Sequence, residues 1–362
     1  MKQLITALVI ATTCVALTAC GERGESTQVA QDQQRFKWKL VTSWPKNFPG
    51  LGSAPEKFAQ HVNKMSNGRL TVEVFGAGQL VPGFEVFDSV AEGTAEMGHS
   101  GAYYWKGKIP AASFFAAVPF GMTASETNAW LHYGGGLELW QKLYKPFGII
   151  PVAGGNSGAQ FAGWFNKEIN SIADLQGLKM RIGGIGGEVM SRAGALPVNM
   201  PGGEIFSSLQ SGALDASEWV GPYNDLAFGF HKAAKYYYST AWQEPTATLE
   251  FLINEQAFNQ LPSDLQEMVL VAARAVHDDM LNEYTARNAR ALQTLITQHN
   301  VQVRTFPDDV IDVLKSTTKE VINEMAEQDA SVKEVWTSYK AFYDEIKRYH
   351  QLSEQAYLEN RQ

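Results

Sequence analysis

The chain has 362 residues, of which 45% are hydrophobic, and a formal net charge of −8. It contains no long run of Lys and Arg, which excludes a nucleic-acid partner because a phosphate backbone is bound by clustered basic side chains. The length suffices for two domains with a sizeable core.

The N-terminus is typical of an export signal. Lys2 supplies the basic start, and the apolar run over 4–17 is shorter than the roughly 20 residues of a membrane-spanning helix. The following LTAC, which ends at Cys20, resembles the lipobox of bacterial lipoproteins. We predict a signal peptide over 1–19, lipid on Cys20 that anchors the protein on the periplasmic side of a membrane, and a flexible tether over 20–34.

The chain has two cysteines, Cys14 and Cys20. Cys14 would leave with the signal and Cys20 would carry lipid, so the mature chain would have no free thiol and no disulfide. This excludes cysteine catalysis and thiolate metal sites.

Strand and helix patterns alternate in the first part of the mature chain. Apolar residues alternate with polar ones over 36–40 and 70–74, which indicates two strands. Between them, Ser53 and Glu56 have capping-box spacing before a helical pattern, and another helical pattern surrounds Phe87. This order predicts a parallel sheet with helices on its faces.

An aromatic segment, SGAYYWKGK, follows the next strand-like run. It would lie at the carboxyl end of the sheet, where open α/β sheets bind ligands. Tyr103, Tyr104 and Trp105 are therefore candidate pocket walls. Core packing is the alternative, because three adjacent aromatic side chains cannot all face one way.

The segment GIIPVAGGNSGAQFAGWFN reads as a strand that crosses between two domains or as an ordinary buried strand. Its Gln160 lies between apolar neighbours, where a buried side-chain oxygen needs a partner. Downstream, LKMRIGGIGGEV places Arg181 at the end of a strand, before a glycine-rich turn and a helix that begins near Glu188. Arg181 could bind a carboxylate there, or form a surface ion pair. The glycines match neither nucleotide fingerprint.

Two acidic residues stand at bends of the chain. In LDASEWVGPYN, Glu218 and Trp219 precede a Gly-Pro turn and would form a wall for a small polar ligand; the alternative is an exposed acid beside a packed indole. In WQEP, Pro245 holds the preceding residue extended and could aim Glu244 into a pocket; the alternative is a solvated loop acid.

The C-terminal half begins with an apolar run over 249–253 that reads as a second crossing strand. A helix without Pro or Gly then runs from Ser263, capped with Gln266, to His299, about 55 Å at 1.5 Å per residue. The final helix carries an apolar stripe at heptad spacing, which predicts a homodimer contact or packing on the body of the protein. The stripe consists of Val332, Val335, Tyr339, Phe342, Ile346 and Tyr349.

The sequence contains few of the residue patterns that are typical of enzyme active sites. The seven His residues show no metal-ligand spacing, and a GxSxG elbow does not occur. Glu218 and Glu244 could act as an acid–base pair, so a hydrolase is kept as an alternative.

From Phe36 onward the chain resembles the solute-binding subunits of tripartite ATP-independent periplasmic (TRAP) transporters. The resemblance rests on GGNSGAQ, LKMRIGGIGGEV, EWVGPYNDLAFGF and WQEP, and points to the branch that binds pyruvate-like 2-oxo monocarboxylates with a metal ion. It implies a receptor, not an enzyme, that delivers a small organic acid anion to membrane permease subunits.

The resemblance also implies roles for single residues. Arg181 would bind the ligand carboxylate, Gln160 would contact the ligand, and Trp219 with Tyr103 or Tyr104 would wall the pocket. A second group would hold the metal: Glu218, the main-chain carbonyl of Trp219, and Glu244.

The charges fit a cation. Two carboxylates and an anionic ligand need more than one positive charge when water is excluded. With Arg181, Ca²⁺ would bring the net charge to zero and Na⁺ to minus one, which favours a divalent ion, whereas the resemblance allows sodium. We rank Na⁺ narrowly before Ca²⁺.

We therefore predict an α/β, two-domain fold of the periplasmic-binding-protein type II kind, with crossing hinge strands near 152–160 and 250–253, a long bridging helix and C-terminal helices. The cleft would close on the ligand as a hinge. The alternatives are a receptor for another acid such as lactate or for a polyol such as mannitol, and the hydrolase. The predicted segments are domain I (35–157 and 252–295), domain II (158–251 and 296–328) and a C-terminal helix (329–362).

Overall fold

The computed structural model describes residues 34–361. The predicted signal peptide, Cys20 and the tether up to residue 33 lie outside the described residues. The strands, in chain order, are β1 (Phe36–Thr42), β2 (Leu70–Phe75), β3 (Met97–Ser100), β4 (Ile149–Asn156), β5 (Gly163–Phe165), β6 (Lys179–Arg181), β7 (Leu196–Val198), β8 (Ala216–Ser217), β9 (Tyr236–Tyr238), β10 (Thr248–Asn254) and β11 (Gln302–Arg304). The α-helices are α1 (Ser53–Met65), α2 (Val86–Ala91), α3 (Ser113–Ala116), α4 (Ala124–Tyr133), α5 (Gly136–Tyr144), α6 (Gly184–Arg192), α7 (Ile205–Ser211), α8 (Pro222–Phe228), α9 (Glu255–Asn259), α10 (Ser263–His299), α11 (Asp308–Gln328), α12 (Ala330–Leu352) and α13 (Glu354–Asn360).

The first sheet has the strand order β2-β1-β3-β10-β4. Strand β1 is parallel to both β2 and β3, as the alternation of strands and helices predicts. Strand β10 is antiparallel to both β3 and β4, so the complete sheet is mixed. Strand β4 leads from the first sheet to the second, and β10 leads back. Strand β10 therefore runs in the opposite direction.

The second sheet has the strand order β11-β9-β5-β8-β6-β7. The chain enters it after β4 and leaves it before β10, and those two strands pair with each other along their whole length. Their register shifts between Leu249 and Glu250, which marks a β-bulge. The two segments predicted to cross between halves of the molecule are therefore neighbours in one sheet, and both connect it to the second sheet.

Helix α10 braces the two halves. It packs against α1 and β4 on the side of the first sheet and against α8 on the side of the second. Its 37 residues correspond to about 55 Å at 1.5 Å per residue. The cap predicted from Ser263 and Gln266 is wrong, because Pro262 precedes the helix and the Gln266 amide donates instead to the carbonyls of Phe258 and Leu261.

The start of α1 also differs from the sequence prediction. Gly52 is the residue before the helix and no side chain caps it. Ser53 is inside the first turn, where its hydroxyl donates to the carbonyl of Gly50 at 3.3 Å. The capping box predicted from the spacing of Ser53 and Glu56 is therefore wrong.

One hydrophobic cluster joins both sheets. It contains Leu40 and Phe58 from the first sheet region, Trp164 and Tyr237 from the second, and Tyr284 of α10, all nearly or fully inaccessible to solvent. Because apolar burial is the main favourable contribution to folding, this shared core stabilises the two sheets as one unit.

The C-terminal stripe is buried at its start and exposed at its end. Val332, Val335 and Tyr339 of α12 are buried against the body of the protein, whereas Tyr349 is 64% exposed. Leu352, at the end of the helix, is 86% exposed. Among residues 34–361, the helices are too short or too polar to cross a bilayer.

Candidate functional site

Arg181 lies at the end of β6, between β7 and β8, and its side chain is only 3% exposed. The parallel ladder places Arg181 opposite Ser217, the last residue of β8, and the N–H of Glu218 donates to the Arg181 carbonyl at 3.0 Å. Parallel strands end at the same edge of a sheet, so the arginine and the acid emerge side by side. Because this ion pair is buried, the alternative of a surface ion pair for Arg181 is wrong.

The guanidinium contacts both sheets. Its Nη1 donates to Glu218 Oε2 at 2.6 Å and to the Glu218 carbonyl at 3.1 Å. Its Nη2 donates to the Tyr104 hydroxyl at 3.5 Å, and its Nε donates to the carbonyl of Met200 at 3.4 Å. Tyr104 follows β3 of the first sheet, so this cluster lies where the two sheets meet.

Trp219 covers one side of Arg181. Its ring centroid is 5.0 Å from the guanidinium carbon, within the range of a cation–π contact. Gly202 packs closely against the indole ring of Trp219. A Cβ added at Gly202 would stand 2.4 Å from that ring. Trp219 is 4% exposed and the preceding Glu218 is 2% exposed, so the alternative of an exposed acid beside a packed indole is wrong.

The turn that carries Trp219 is held from below by Asp225 of α8. Its Oδ2 accepts hydrogen bonds from Trp164 Nε1 at 3.0 Å and from the Tyr237 hydroxyl at 2.7 Å. Its Oδ1 accepts from the N–H of Gly221 at 3.2 Å. Sequence reasoning missed Asp225, although an acid in the first turn of a helix that opens with Gly-Pro is a recognisable signal.

Glu244 and Gln160 lie next to each other. The Gln160 N–H donates to the Glu244 carbonyl at 3.1 Å, and the Gln160 amide donates to Ser157 Oγ at 2.9 Å. Both side chains are buried, and Gln160 Oε1 and Glu244 Oε2 have no hydrogen-bond partner among the described residues. The alternative of a solvated loop acid at Glu244 is therefore wrong, and Ser157, which orients the amide, was missed.

The aromatic residues of the 3-10 turn Ala102–Trp105 point in different directions, so some lie in the core and others at the site. The Trp105 indole donates to Glu250 in the first sheet and is core. Tyr104 faces Arg181, and the Tyr103 ring stands perpendicular to it with centroids 4.7 Å apart. Both tyrosines line a surface cavity of about 300 Å³.

The glycine-rich segment after Arg181 forms a helix earlier than predicted. Helix α6 begins at Gly184, not near Glu188. Gly184 has φ +61° and an added Cβ would be 3.3 Å from Tyr103 Cβ, while a Cβ on Gly186 would be 3.2 Å from Gln243 Cβ. The glycines are thus inside the first turn, where they let the helix approach the residues of the site.

Burial and mutual repulsion change the ionisation of the acids. Burial raises the pKa of Glu218 to about 7, although the adjacent Arg181 opposes the shift. Burial, with the negative charge of Glu218, raises the pKa of Glu244 well above its usual range. Burial also raises the pKa of Tyr104 to about 12. Without a further positive charge, the site therefore retains a proton near neutral pH.

The oxygen atoms of this cluster fit a hard cation. In the described part of the chain no group of three or more His, Cys, Asp or Glu side chains is placed to hold a metal. The two carboxyl groups and the Gln160 amide oxygen are ligands of the type that Na⁺ and Ca²⁺ take, and within residues 34–361 Glu244 Oε2 and Gln160 Oε1 have no hydrogen-bond partner. The bound solute and the main chain would complete the shell.

Two sheets joined by paired crossing strands meet at a buried arginine and at oxygens without a partner among the described residues, an arrangement that fits a solute-binding protein. The chain belongs to the bacterial extracellular solute-binding proteins of family 7 (DctP), whose model matches residues 40–329. It is thus an extracytoplasmic TRAP receptor. Since this is a receptor family and not an enzyme family, the hydrolase alternative is wrong.

Several relatives are similar over nearly the whole chain. A protein of Nostoc sp. named monocarboxylate 2-oxoacid-binding periplasmic protein is 41% identical over 98% of this chain and 97% of its own length. A TRAP periplasmic solute-binding protein from Pseudoalteromonas atlantica, crystallised with sodium and pyruvate, is 42% identical, with a TM-score of 0.89 over 91% of this chain and 100% of its own. One from Colwellia psychrerythraea, with calcium and pyruvate, is 44% identical, with a TM-score of 0.88 over 90% and 100%. These structures confirm the predicted fold class.

Proposed function

We propose that this receptor binds a small 2-oxo monocarboxylate, such as pyruvate, together with a metal ion. The observation that carries the proposal is the buried Arg181, which faces the buried carboxyl groups of Glu218 and Glu244. The negative charges of this neighbourhood raise the pKa of Arg181 in spite of burial, so the guanidinium stays charged. A buried guanidinium at a strand end is a suitable partner for a carboxylate. Four of its five N–H groups already donate to protein oxygens, so the ligand carboxylate would take the remaining Nη2 hydrogen or displace one of these bonds.

Each residue has a separate task in this proposal. Arg181 binds the carboxylate, and Gln160 directs its free amide oxygen toward the ligand. Trp219 and Tyr104 wall the pocket, and the Tyr103 ring stands against that of Tyr104. Excluding water between these rings strengthens every charge interaction inside the site.

The metal ion would be held by Glu218, the main-chain carbonyl of Trp219, and Glu244. It would supply the positive charge that two carboxylates and an organic anion require beside a single arginine. We infer Na⁺ narrowly before Ca²⁺. The Pseudoalteromonas relative with sodium and the Colwellia relative with calcium support a cation without separating the two.

A thermal-shift screen tests the ligand class. Protein that has been unfolded and refolded to remove bound solutes is heated with pyruvate, 2-oxobutyrate, lactate or mannitol, each in sodium-free buffer with chelator and in buffer with Na⁺ or Ca²⁺ added. We expect the two 2-oxo acids to raise Tm when Na⁺ or Ca²⁺ is present. A larger shift with lactate or mannitol would replace the 2-oxo acid by the other acid or the polyol.

We further infer that the molecule closes as a hinge around the ligand and presents the closed form to TRAP membrane permease subunits. The moving bodies would be domain I (35–157 and 252–295) and domain II (158–251 and 296–328), and the paired strands β4 and β10 support this division. Small-angle scattering should show a smaller radius of gyration with pyruvate and cation. Cells without this receptor should lose uptake of labelled pyruvate.

Membrane anchoring by lipid on Cys20, after removal of residues 1–19, is part of the same proposal. The LTAC sequence supports it. Labelled palmitate should enter the wild-type protein, and Cys20→Ser should release the protein into the soluble periplasmic fraction. Equal membrane retention of both forms would contradict lipid anchoring.

We also infer that the end of α12 and α13 contacts a second copy. Leu352 is 86% exposed, and Tyr357 and Leu358 are 64% and 53% exposed, so the apolar residues continue beyond the part of α12 that packs on its own body. Light scattering should give a dimer for the wild type and a monomer for Leu352→Glu combined with Leu358→Glu. A monomeric wild type would contradict this contact.

A further inference from the structure

One peptide group in the crossing strand β4 is held by two buried histidines. The register shift between β4 and β10 pairs Leu249 with Gly155 and Glu250 with Ala153, which leaves Gly154 as the bulged residue. The Gly154 carbonyl is 3.0 Å from Nε2 of His99. The N–H of the same peptide group, on Gly155, donates to Nδ1 of His277 at 3.2 Å.

The partners fix the tautomer of each imidazole. Trp44 Nε1 is a donor only and lies 2.9 Å from His99 Nδ1, so that Nδ1 accepts and Nε2 carries the hydrogen that goes to Gly154. His277 Nδ1 accepts from Gly155, so its Nε2–H donates to Asn128 Oδ1 at 2.7 Å. Burial lowers the pKa of both histidines to about 4, which keeps them neutral.

The two histidines differ in what their second nitrogen holds. His277 connects the bulge to Asn128 of α4, a helix that packs against α5 and α12. His99 connects the bulge to Trp44, whose ring centroid is 6.0 Å from that of Tyr104 and 6.2 Å from that of Trp219. Those two rings are the ones that contact Arg181.

We propose that His99 is a positioning residue for ligand binding: it sets the Trp44 indole against which the Trp219 and Tyr104 walls of the pocket pack. It therefore links the bulge of the crossing strand to the wall of the binding site. The inference rests on the proposed function, because its readout is the affinity for a 2-oxo acid.

Conservative variants separate the two bonds of His99. In His99→Asn the side-chain oxygen replaces Nδ1 and keeps an acceptor for Trp44, whereas in His99→Gln the amide replaces Nε2 and keeps only the donor to Gly154. Trp44→Phe removes the indole N–H and keeps an aromatic ring. His277→Gln is the matched control, because it loosens the same Gly154–Gly155 peptide without contacting Trp44.

The test measures pyruvate affinity by calorimetry with saturating cation, and Tm for each variant. Loss of one buried hydrogen bond corresponds to about a five-fold weaker Kd, which we expect for His99→Gln and for Trp44→Phe. The double variant should be no weaker than the weaker single variant, since both remove the same bond. His99→Asn and His277→Gln should lower Tm and keep the wild-type Kd.

Several results would overturn the inference. One is a His99→Gln protein with lowered Tm and unchanged Kd, which would make His99 purely structural. Another is equal weakening by His99→Gln and His277→Gln, which would place the effect in the bulge itself. If His99→Gln does not fold, an unchanged Kd for Trp44→Phe has the same meaning. A wild-type protein that binds no 2-oxo acid would instead remove the proposed function.

Discussion

Two buried acidic residues near the second sheet, Asp225 and Glu244, differ in how many hydrogen bonds their carboxyl oxygens accept. At the base of the Trp219 turn, Asp225 is 1% exposed and its two oxygens accept from Trp164, Tyr237 and main-chain N–H groups. At the site, Glu244 is 6% exposed, yet its Oε2 has no partner among the described residues. Similar burial thus accompanies a satisfied carboxyl group in one region and an open one in the other.

A third buried acid shows that an open oxygen is not enough to indicate a cation. Glu250 of β10 is fully buried, accepts a hydrogen bond from Trp105 and, within the described part of the chain, has an unpartnered Oε2. Burial raises its pKa to about 8, so it stays protonated at neutral pH. Glu244 differs because a second carboxyl group and a guanidinium are its neighbours. The combination of an open oxygen with paired charges is what distinguishes the binding site.

The largest expected effect comes from removing the guanidinium. Arg181→Ala should weaken pyruvate binding by about 30-fold to several thousand-fold, because loss of one partner of a buried charged pair costs about 2 to 5 kcal/mol. Calorimetry at saturating cation measures it. Arg181→Lys, which keeps the charge but not the two-pronged geometry, should lie between the alanine variant and the wild type. Retained wild-type affinity in Arg181→Ala would remove Arg181 from the site.

The comparison of acids predicts that Glu244→Gln loses cation affinity rather than stability. The amide has the shape of the acid but not its charge, so cation binding should weaken about 30-fold, corresponding to about 2 kcal/mol. Its Tm in chelator should be close to that of the wild type, because without the cation burial and the charge of Glu218 raise the pKa of Glu244 well above its usual range, and the neutral carboxyl group resembles the amide. The measurements are cation titration and thermal unfolding; unchanged cation affinity would contradict the assignment.

Binding of the cation should depend on pH. Because Glu218 has a pKa of about 7 in the folded protein, a proton competes with the cation below that pH. The apparent cation affinity should fall by at least about ten-fold between about pH 8 and pH 6, the change expected for displacement of the Glu218 proton alone. The raised pKa of Glu244 would add to this change. A pH-independent affinity would contradict this.

The same pKa has a consequence for stability without the cation. The folded-state pKa of Glu218 lies above its ordinary value of 4.5, so its protonated form contributes stability that is fully present below about pH 4.5. This contribution is lost as the pH rises to about 7. Thermal unfolding in chelator should show the decline, and saturating cation should reduce it.

Asp225→Asn is the converse of Glu244→Gln. Its amide cannot accept from all the donors that surround Asp225, and an unsatisfied buried group costs about 1 to 3 kcal/mol of unfolding free energy. Urea unfolding measures that loss. Cation affinity should stay within about three-fold of the wild type, a change below about 1 kcal/mol. A loss of cation affinity as large as that of Glu244→Gln would end the distinction between the two regions.

The smallest effect is expected from the wall of the site. Gly202→Ala would place a methyl group 2.4 Å from the Trp219 ring, so the ring would have to move from its present position against Arg181. A cation–π contact contributes about 0.5 to 1 kcal/mol at the lower end of its range, so we expect a two- to five-fold weaker Kd for pyruvate. Gly203→Ala, where an added Cβ meets no atom within 4 Å, is the matched control and should bind as the wild type does.

Much of the fold could be predicted from the sequence, because strands and helices place their apolar residues at regular intervals. The parallel start of the first sheet and the uninterrupted helix from Ser263 to His299 both follow from spacing and from residues with strong backbone preferences. The predicted capping boxes at Ser53 and Ser263 were wrong. A cap requires that the chain turn into the helix at the capping residue, and these helices begin one residue earlier, after Gly52 and Pro262.

The site was only partly predictable from local patterns. A charged residue at a strand end marked Arg181, bends of the chain marked Glu218 and Glu244, and apolar neighbours marked Gln160. The resemblance then implied the role of each. Asp225 has a local signal in the first turn of α8, which was overlooked. The supporting groups Ser157 and Trp44 could not be found, because their roles depend on side-chain contacts that local patterns do not show.

The central claim is that an organic anion and a cation enter the cluster around Arg181 together. Calorimetric titration of pyruvate into refolded, solute-free protein, first in sodium-free buffer with chelator and then with Na⁺ or Ca²⁺ added, tests it most directly. We predict one pyruvate bound per chain with added cation, and binding weaker by an order of magnitude or more without it. Pyruvate binding of equal affinity in both buffers would contradict the account.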